Sequence, residues 1–232
     1  MAERDRLFLH EEIMLLALRD EKGTVESGTN YSYGLGGAIL AELMLGERIG
    51  TVTPKKTTLV EPLSFDSLGD PVIDECLEKI RTARKRASLQ TWVSRFVGIK
   101  NLRHRVAQGL CERGILRAEQ DKILGIFSRK LYPEIDPGPE ERIVERLRCV
   151  IFDDISEIDP RTVTLVSLAH HTGLLKIPFD KRELKARKSR IEQIMNGDLS
   201  GKAAKQAIEA MQAAVMVACI MPAIMTTTMV HH

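Results

Sequence analysis

Apolar residues recur at helical spacing in one segment of this 232-residue chain after another, and this pattern restricts the fold more than any other feature. The segment 71–86 illustrates it, since five apolar residues there would line a single helix face: Val72, Ile73, Cys76, Leu77 and Ile80. Aromatic residues make up only 4% of the chain and long alternating β-branched runs are scarce, whereas good helix formers are plentiful. We therefore predict a mainly α fold, a single compact helical domain over residues 1–232 with a small β element and a β-hairpin.

The same periodicity, with glycine and proline as breakers, predicts where each element lies. Helices are predicted at 9–19, 35–45, 71–86, 89–96, 100–113, from 139 onward, and at 160–172, 180–195 and 202–219. Alternating apolar and polar residues predict two short strands within 48–60. Apolar stretches at 115–116 and 123–127, on either side of a polar turn, predict the hairpin. A linker is predicted at Asp136-Pro137-Gly138-Pro139.

The sequence contains none of the common catalytic, nucleotide-binding or metal-binding motifs. The glycine-rich stretch that begins at Gly34 has Ile39 where a dinucleotide-binding loop needs its third glycine, and no Walker loop occurs. There is no GxSxG elbow, no pair of histidines at helical spacing, and no CxxC pair among the four cysteines. We therefore predict a protein without enzyme activity, cofactor or metal.

No segment of the sequence is predicted to span a membrane. The most apolar stretch, 213–225, has 13 residues and is broken by Pro222, whereas a membrane span needs ~20 residues. The N-terminal segment carries charges within its apolar part and lacks a small-residue cleavage site, so it does not resemble a secretory signal. We expect a cytoplasmic protein.

Charge is distributed unevenly along the chain, although the formal net charge is only +2. Between Lys79 and Arg113 there are ten basic residues and one acid, and between Lys181 and Arg190 there are six basic residues and one acid. If these segments lie on one face of the fold, that face would attract the phosphates of lipid head groups or of nucleic acid. They could equally be solvated helix faces whose charges pair with acids elsewhere, and the sequence leaves both alternatives open.

Four segments follow one another along the chain: LHEEIMLLAL, GLGGAILAELMLGERI, NLRHRVAQGLCERGIL and DPRTVTLVSLAHHTGLL. Their order resembles the Golgi phosphoprotein 3 family, and the resemblance extends from residue 7 to about residue 217. It implies a mostly helical, non-enzymatic adaptor that binds phosphatidylinositol 4-phosphate on the cytosolic face of Golgi membranes and retains glycosyltransferases there.

The resemblance also implies where a head-group pocket would lie. Two basic residues at the beginning of the helix before the hairpin correspond to Lys100 and Arg103, and Arg105 adjoins them. The family's pocket arginine falls on Gly36 and its pocket tryptophan falls near Ser27, so this chain lacks both side chains. Gly36 would still offer backbone amides to a phosphate if it began a helix.

Membrane attachment is expected to need more than charge. Each basic residue near an anionic surface contributes ~1 kcal/mol, so four to six of them contribute ~4 to 6 kcal/mol. Leu124, Ile126 and Phe127 of the hairpin are candidates for insertion into the interface, and homo-oligomerisation would multiply the basic face. The alternative for these three residues is ordinary packing of the hairpin on the body of the protein.

The function predicted from these arguments is a cytoplasmic, peripheral membrane protein that binds anionic phospholipid head groups and forms homo-oligomers. A membrane-protein client would be a further partner. The alternative is a soluble interaction protein or a nucleic-acid-binding protein that uses the same basic segment. Nucleic acid is disfavoured because the segment has few aromatic side chains on which bases could stack.

Overall fold

The structure is a computed structural model that describes residues 6–19, 23–54, 57–123 and 127–200, together with residues 208, 212 and 215. Its α-helices are α1 Leu9–Ala17, α2 Tyr31–Leu45, α3 Pro71–Arg81, α4 Leu89–Val97, α5 Leu102–Glu112, α6 Gly138–Phe152, α7 Pro160–Thr172, α8 Lys181–Ala186 and α9 Lys188–Met195. A short 3₁₀ helix, Leu174–Lys176, follows α7. The strands form antiparallel pairs: β1 Leu18–Arg19 with β2 Thr24–Val25, β3 Ile49–Val52 with β4 Leu59–Pro62, and β5 Glu119–Ile123 with β6 Phe127–Leu131. The prediction of a mainly α fold with small β elements is confirmed.

Side-chain caps explain where several helices begin. Asp70 accepts hydrogen bonds from the backbone amides of Val72 and Ile73, at 2.9 and 2.8 Å, and so caps α3. Asp159 and Ser88 cap α7 and α4 in the same way. These caps satisfy backbone donors that the first helical turn leaves free, which is why local sequence locates the helix beginnings well.

Helix α2 lies at the centre of the fold and packs against α1, α3, α4 and α7. The prediction that it begins at residue 35, after the glycine cluster, is wrong, because it begins at Tyr31 and the glycines lie inside it. A Cβ atom on Gly34 would lie 3.1 Å from Cγ2 of Thr172 and 3.2 Å from Cγ2 of Ile13. The glycines therefore allow neighbouring helices to approach α2 closely, and this packing outweighs their low helix propensity.

Other helix boundaries differ from prediction for local reasons. Helix α1 ends at Ala17 because the next two residues pair with β2, and α3 ends at Arg81 rather than at residue 86. The helix predicted at 180–195 is two helices, α8 and α9, interrupted at Arg187, whose φ and ψ are −97° and 12°. The helix predicted at 202–219 lies largely outside the described residues, although residues 208, 212 and 215 are helical.

The hairpin exists, but its strands are shifted from the predicted positions. Residues 119–122, which were predicted to lie in the turn, belong with Ile123 to strand β5. This strand pairs with β6 in an antiparallel register, from Glu119 opposite Leu131 to Ile123 opposite Phe127. Leu116 instead forms an isolated bridge with Glu134, and Ile115 is buried in the core. The error arose because both hairpin strands carry polar residues, so hydrophobicity did not mark them.

Buried apolar residues form one continuous core around α1, α2 and α7. Within the described part of the chain, no helix is both long and apolar enough to cross a lipid bilayer.

Candidate functional site

A groove of about 560 Å³ lies between α3, α4 and the turn that leads into α5. Ala83, Trp92 and Ile99 contribute its less polar walls. Its charged lining residues are Lys79, Arg95, Lys100, Arg105 and Glu75. Four cations therefore surround the groove, and they face a single carboxylate among its lining residues.

Two helices place these side chains by their spacing. Glu75 and Lys79 lie four residues apart on one face of α3, and the Lys79 Nζ atom is 3.3 Å from Glu75 Oε1. Trp92 and Arg95 lie three residues apart on α4, and the guanidinium carbon of Arg95 is 4.6 Å from the centroid of the indole ring. This cation–π contact holds the exposed Arg95 side chain over a buried ring. Lys100 is exposed in the turn just before α5.

Glu75 is engaged by two of the four cations. Arg105 Nη1 lies 2.5 Å from Glu75 Oε2, in addition to the contact with Lys79. Partial burial alone would raise the pKa of Glu75, but the hydrogen bond and charge of Arg105, followed by those of Lys79, lower it below its ordinary value. Glu75 is therefore ionised at neutral pH. Arg95 and Lys100 form no ion pair with a described acid, so the groove retains a positive balance.

The structure separates the three basic residues predicted to form the pocket. Lys100 and Arg105 line the groove, whereas Arg103 lies on the side of the hairpin, with its Nη2 atom 3.4 Å from the backbone oxygen of Lys130 in β6. Residues two apart on a helix point in nearly opposite directions, which explains why Arg103 and Arg105 diverge.

Gly36 does not have the environment that the sequence suggested. It is the sixth residue of α2 and is buried, so its amide belongs to the interior of the helix and not to the free first turn. A Cβ atom at this position would lie 3.1 Å from Cγ2 of Val97 and 3.2 Å from the backbone oxygen of Val93. The prediction that Gly36 offers helix-terminal amides to a phosphate is wrong, because the residue is a packing contact between α2 and α4.

The hairpin residues chosen as membrane contacts remain a prediction. Leu124 and Ile126 lie outside the described residues, and Phe127 is the first residue of β6. Ser27, near which the family's tryptophan position falls, is exposed in the turn after β2.

Sequence reasoning missed the contribution of α3 and α4 to the groove. Trp92 and Phe96 are both buried, with ring centroids 5.8 Å apart. Trp92 also lines the groove, and its indole nitrogen has no acceptor among the described residues. A tryptophan followed three residues later by an arginine could have indicated a cation–π contact in the sequence. Only the packing of α3 against α5 shows which other cations lie beside Trp92 and Arg95 in the groove.

The sequence left open whether the cations of segment 79–113 pair with acids or remain free to attract phosphates, and the structure shows some of each. Five of its cations form ion pairs with described acids, namely Lys79 and Arg105 with Glu75, Arg81 with Glu78, Arg86 with Glu61 and Arg113 with Glu11. The other five form no ion pair with an acid in the described residues: Arg84, Lys85, Arg95, Lys100 and Arg103. The segment is therefore partly a set of paired helix faces and partly a source of uncompensated positive charge.

A second group of charges is buried, between α1, α2 and α7. Glu42 Oε1 lies 2.6 Å from Arg161 Nη1 and accepts a hydrogen bond of 2.6 Å from the backbone amide of Leu9. Arg161 Nη2 donates to the backbone oxygen of Leu7 at 2.6 Å. These contacts join the N-terminus of α1 to α2 and α7, so their role is structural.

The adjacent acids of α1 are also paired with arginines. Glu11 lies 2.9 Å from Arg113, and Glu12 lies 2.8 Å from Arg146 without a well-aligned hydrogen bond. Burial raises the pKa of Glu12, and the charges of Arg146 and Arg161 oppose the shift. Glu11 also accepts a hydrogen bond of 2.8 Å from the backbone amide of Phe8, the N-cap residue of α1, so it contributes both to the helix cap and to an ion pair. No cluster of three or more potential metal ligands occurs in the part of the chain that the structure describes.

The chain is similar to members of a known protein family. A family model described as Golgi phosphoprotein 3 (GPP34) matches residues 9–211, from the first residue of α1 past the end of α9. The vacuolar protein sorting-associated protein 74 of Schizosaccharomyces pombe is 26% identical over an alignment of 232 positions, which covers 84% of this chain and 68% of that protein. Because the family model covers most of the chain, including both walls of the groove, this protein belongs to the Golgi phosphoprotein 3 (GPP34) family.

Proposed function

We propose that this protein is a peripheral membrane protein whose groove between α3, α4 and α5 binds an anionic phospholipid head group, in particular a phosphoinositide such as phosphatidylinositol 4-phosphate. One observation carries the proposal: four cations surround a groove that contains a single carboxylate. Family membership supports it, since Lys100, which lines the groove, is one of the positions that the family resemblance assigns to the head-group pocket.

The chemistry of the groove suits a phosphate ester. Its volume of about 560 Å³ lies within the ~300–1,000 Å³ of typical ligand sites. Arginine offers phosphate a fork of donors and lysine offers a compact charge. Helix α5 begins beside the groove, and Asn101 forms no side-chain cap there, so the positive end of the helix adds to the attraction.

The size of the electrostatic contribution is modest. A balance of three positive charges at ~1 kcal/mol each corresponds to roughly a hundredfold gain in affinity for an anionic surface. We propose that Arg103 and the apolar residues of the hairpin add a second contact, and that homo-oligomerisation adds a third. In this proposal the protein acts at the cytosolic face as a non-enzymatic adaptor with a membrane-protein client.

The test is vesicle flotation with three lipid compositions: neutral phosphatidylcholine, phosphatidylcholine with phosphatidylserine, and phosphatidylcholine with phosphatidylinositol 4-phosphate at matched charge. The variant Arg95→Ala/Lys100→Ala removes the two groove cations that have no described acidic partner. It is expected to weaken binding to anionic vesicles roughly thirtyfold, since two contributions of ~1 kcal/mol are lost.

The matched control is Arg142→Ala/Arg182→Ala, which also removes two exposed positive charges but leaves the groove intact. Equal losses in the two double variants would show that only net charge matters and would reject the groove. Absence of binding to every anionic vesicle at low salt would reject the membrane function itself. Gel shifts with random DNA and RNA test the alternative of nucleic-acid binding.

A further inference from the structure

A second groove, of about 230 Å³, lies between the end of α7, the 3₁₀ helix, α8 and α9. Its apolar lining residues are Leu175, Leu184 and Ile191, and His170 also lines it. Four lysines complete the lining: Lys176, Lys181, Lys185 and Lys188. No acid is among the described lining residues, so these residues combine an apolar surface with positive charge alone. It shares no helix with the groove of α3, α4 and α5.

The basic residues of segment 181–190 include two arginines that contact the body of the protein and three lysines that line the groove. Arg187 and Arg190 turn toward the body of the protein, where Arg187 Nη2 donates to the backbone oxygen of Phe152 at 2.7 Å and Arg190 Nε donates to that of Val150 at 3.1 Å. These two arginines hold α9 against the C-terminal end of α6.

The lysines have no comparable structural task. All four are exposed, and Lys188 makes only a long contact, 3.7 Å, with the exposed Glu192 one turn away. Such surface pairs contribute little to stability. Lys176, Lys181 and Lys185 form no ion pair with any acid that the structure describes. Their charge is therefore available to a binding partner.

We propose that this groove docks an acidic, amphipathic helix of a partner protein, which inserts an aliphatic side chain between Leu175, Leu184 and Ile191 and places carboxylates against the lysines. The volume of about 230 Å³ is below the ~300–1,000 Å³ of typical small-molecule sites and suits one or two aliphatic side chains. Charge complementarity with the lysines then selects an acidic segment.

The spacing of the lysines favours a helical partner. Lys181 and Lys185 stand at i and i+4 on α8, which corresponds to a stripe roughly 6 Å long at a rise of 1.5 Å per residue, whereas Lys188 is the first residue of α9, beyond the interruption at Arg187. A partner helix with glutamates at the same spacing presents an equally long acidic stripe, and leucines at i+1 and i+8 lie beside it.

The experiment measures fluorescence anisotropy of a labelled helical peptide that carries these glutamates and leucines on an alanine–glutamine background, titrated with the full-length protein. The wild type is expected to bind it. The variant Lys181→Glu/Lys185→Glu is expected to raise the Kd by about tenfold or more, because two attractive contacts become repulsive. Leu184→Ser, which shortens an apolar lining residue, is expected to weaken binding as well. Circular dichroism verifies that each variant is folded.

The matched control is Arg182→Glu, a charge reversal on the same helix at an exposed residue that does not line the groove. It is expected to leave the Kd within about twofold of the wild type. Equal weakening by the control, or equal binding of a peptide whose leucines are replaced by serines, would overturn the proposal in favour of non-specific attraction. If the groove variant instead loses vesicle binding while no peptide binds, the lysines contact membrane and the proposal is wrong. The head-group proposal rests on other residues and is tested separately.

Discussion

Replacing Arg161 with methionine is expected to destabilise the fold strongly, because the substitution leaves the Glu42 carboxylate buried without a counter-charge. The Glu42 residue is 5% exposed and the Arg161 residue 8%, so solvent screens their contact poorly. Methionine keeps an unbranched apolar stem of similar length, which limits the loss of packing. The loss of stability in Arg161→Met therefore measures mainly the loss of the positive charge beside Glu42.

The expected magnitude follows from the contacts of the pair. Removing one partner of a buried ion pair typically costs ~3–5 kcal/mol, much of it from the charge that remains. Arg161 also donates to the backbone oxygen of Leu7, and that acceptor loses its partner. We expect the free energy of unfolding to fall by about 3–5 kcal/mol.

A second substitution separates charge from packing. Glu42→Gln removes the charge but keeps an oxygen that accepts from the backbone amide of Leu9. The double variant Glu42→Gln/Arg161→Met is therefore expected to be more stable than Arg161→Met alone by about 1–3 kcal/mol, because it does not leave a buried carboxylate without a partner.

Urea unfolding followed by tryptophan fluorescence provides the assay. The only tryptophan, Trp92, is 2% exposed in the folded state, so its emission reports unfolding. The midpoint should shift while the slope stays constant. A loss below about 1 kcal/mol in Arg161→Met, or a double variant less stable than that single variant, would refute the reasoning.

Three further predictions concern local features of the fold. Asp70→Ala should lower the free energy of unfolding by about 1 kcal/mol at neutral pH. Burial would raise the pKa of Asp70, but its contacts with His10 and the α3 amides outweigh burial and lower it, so the stabilisation by Asp70 is lost as pH falls through that lowered pKa. Urea unfolding at several pH values should therefore show the free energies of unfolding of the wild type and the variant converging at low pH. Burial raises the pKa of Cys76 to about 12, so iodoacetamide should leave it unmodified in the folded protein at neutral pH, as peptide mass mapping of native and unfolded samples can establish. Gly173→Ala should destabilise the protein by about 1 kcal/mol, because the φ angle of Gly173 is +82°. Gly109→Ala should stabilise it by up to about 1 kcal/mol, because Gly109 lies on α5 with open space around its Cβ position. The two substitutions should shift the urea midpoint in opposite directions, and shifts of the same sign would contradict the prediction.

The sequence alone predicted the helical class, most helix beginnings and the presence of a hairpin. These features depend on interactions between residues close in the chain, such as the Asp70 cap of α3 and the Asp159 cap of α7. The ordered segments also predicted the family, which the match to residues 9–211 confirmed. Boundaries failed where local signals were weak, as in the polar strand β5.

Only the tertiary structure decided which residues meet. The sequence predicted Gly36 as part of a phosphate site, but Gly36 lies inside α2, where the close approach of α4 leaves room only for a small residue. The sequence predicted Lys100 and Arg103 as a pair, but their side chains diverge at the beginning of α5. The other cations beside Lys100 are Lys79 of α3, Arg95 of α4 and Arg105 of α5. The physical reason is that residue spacing determines directions within one helix, whereas the charge of a groove depends on how separate helices pack, which no local pattern contains.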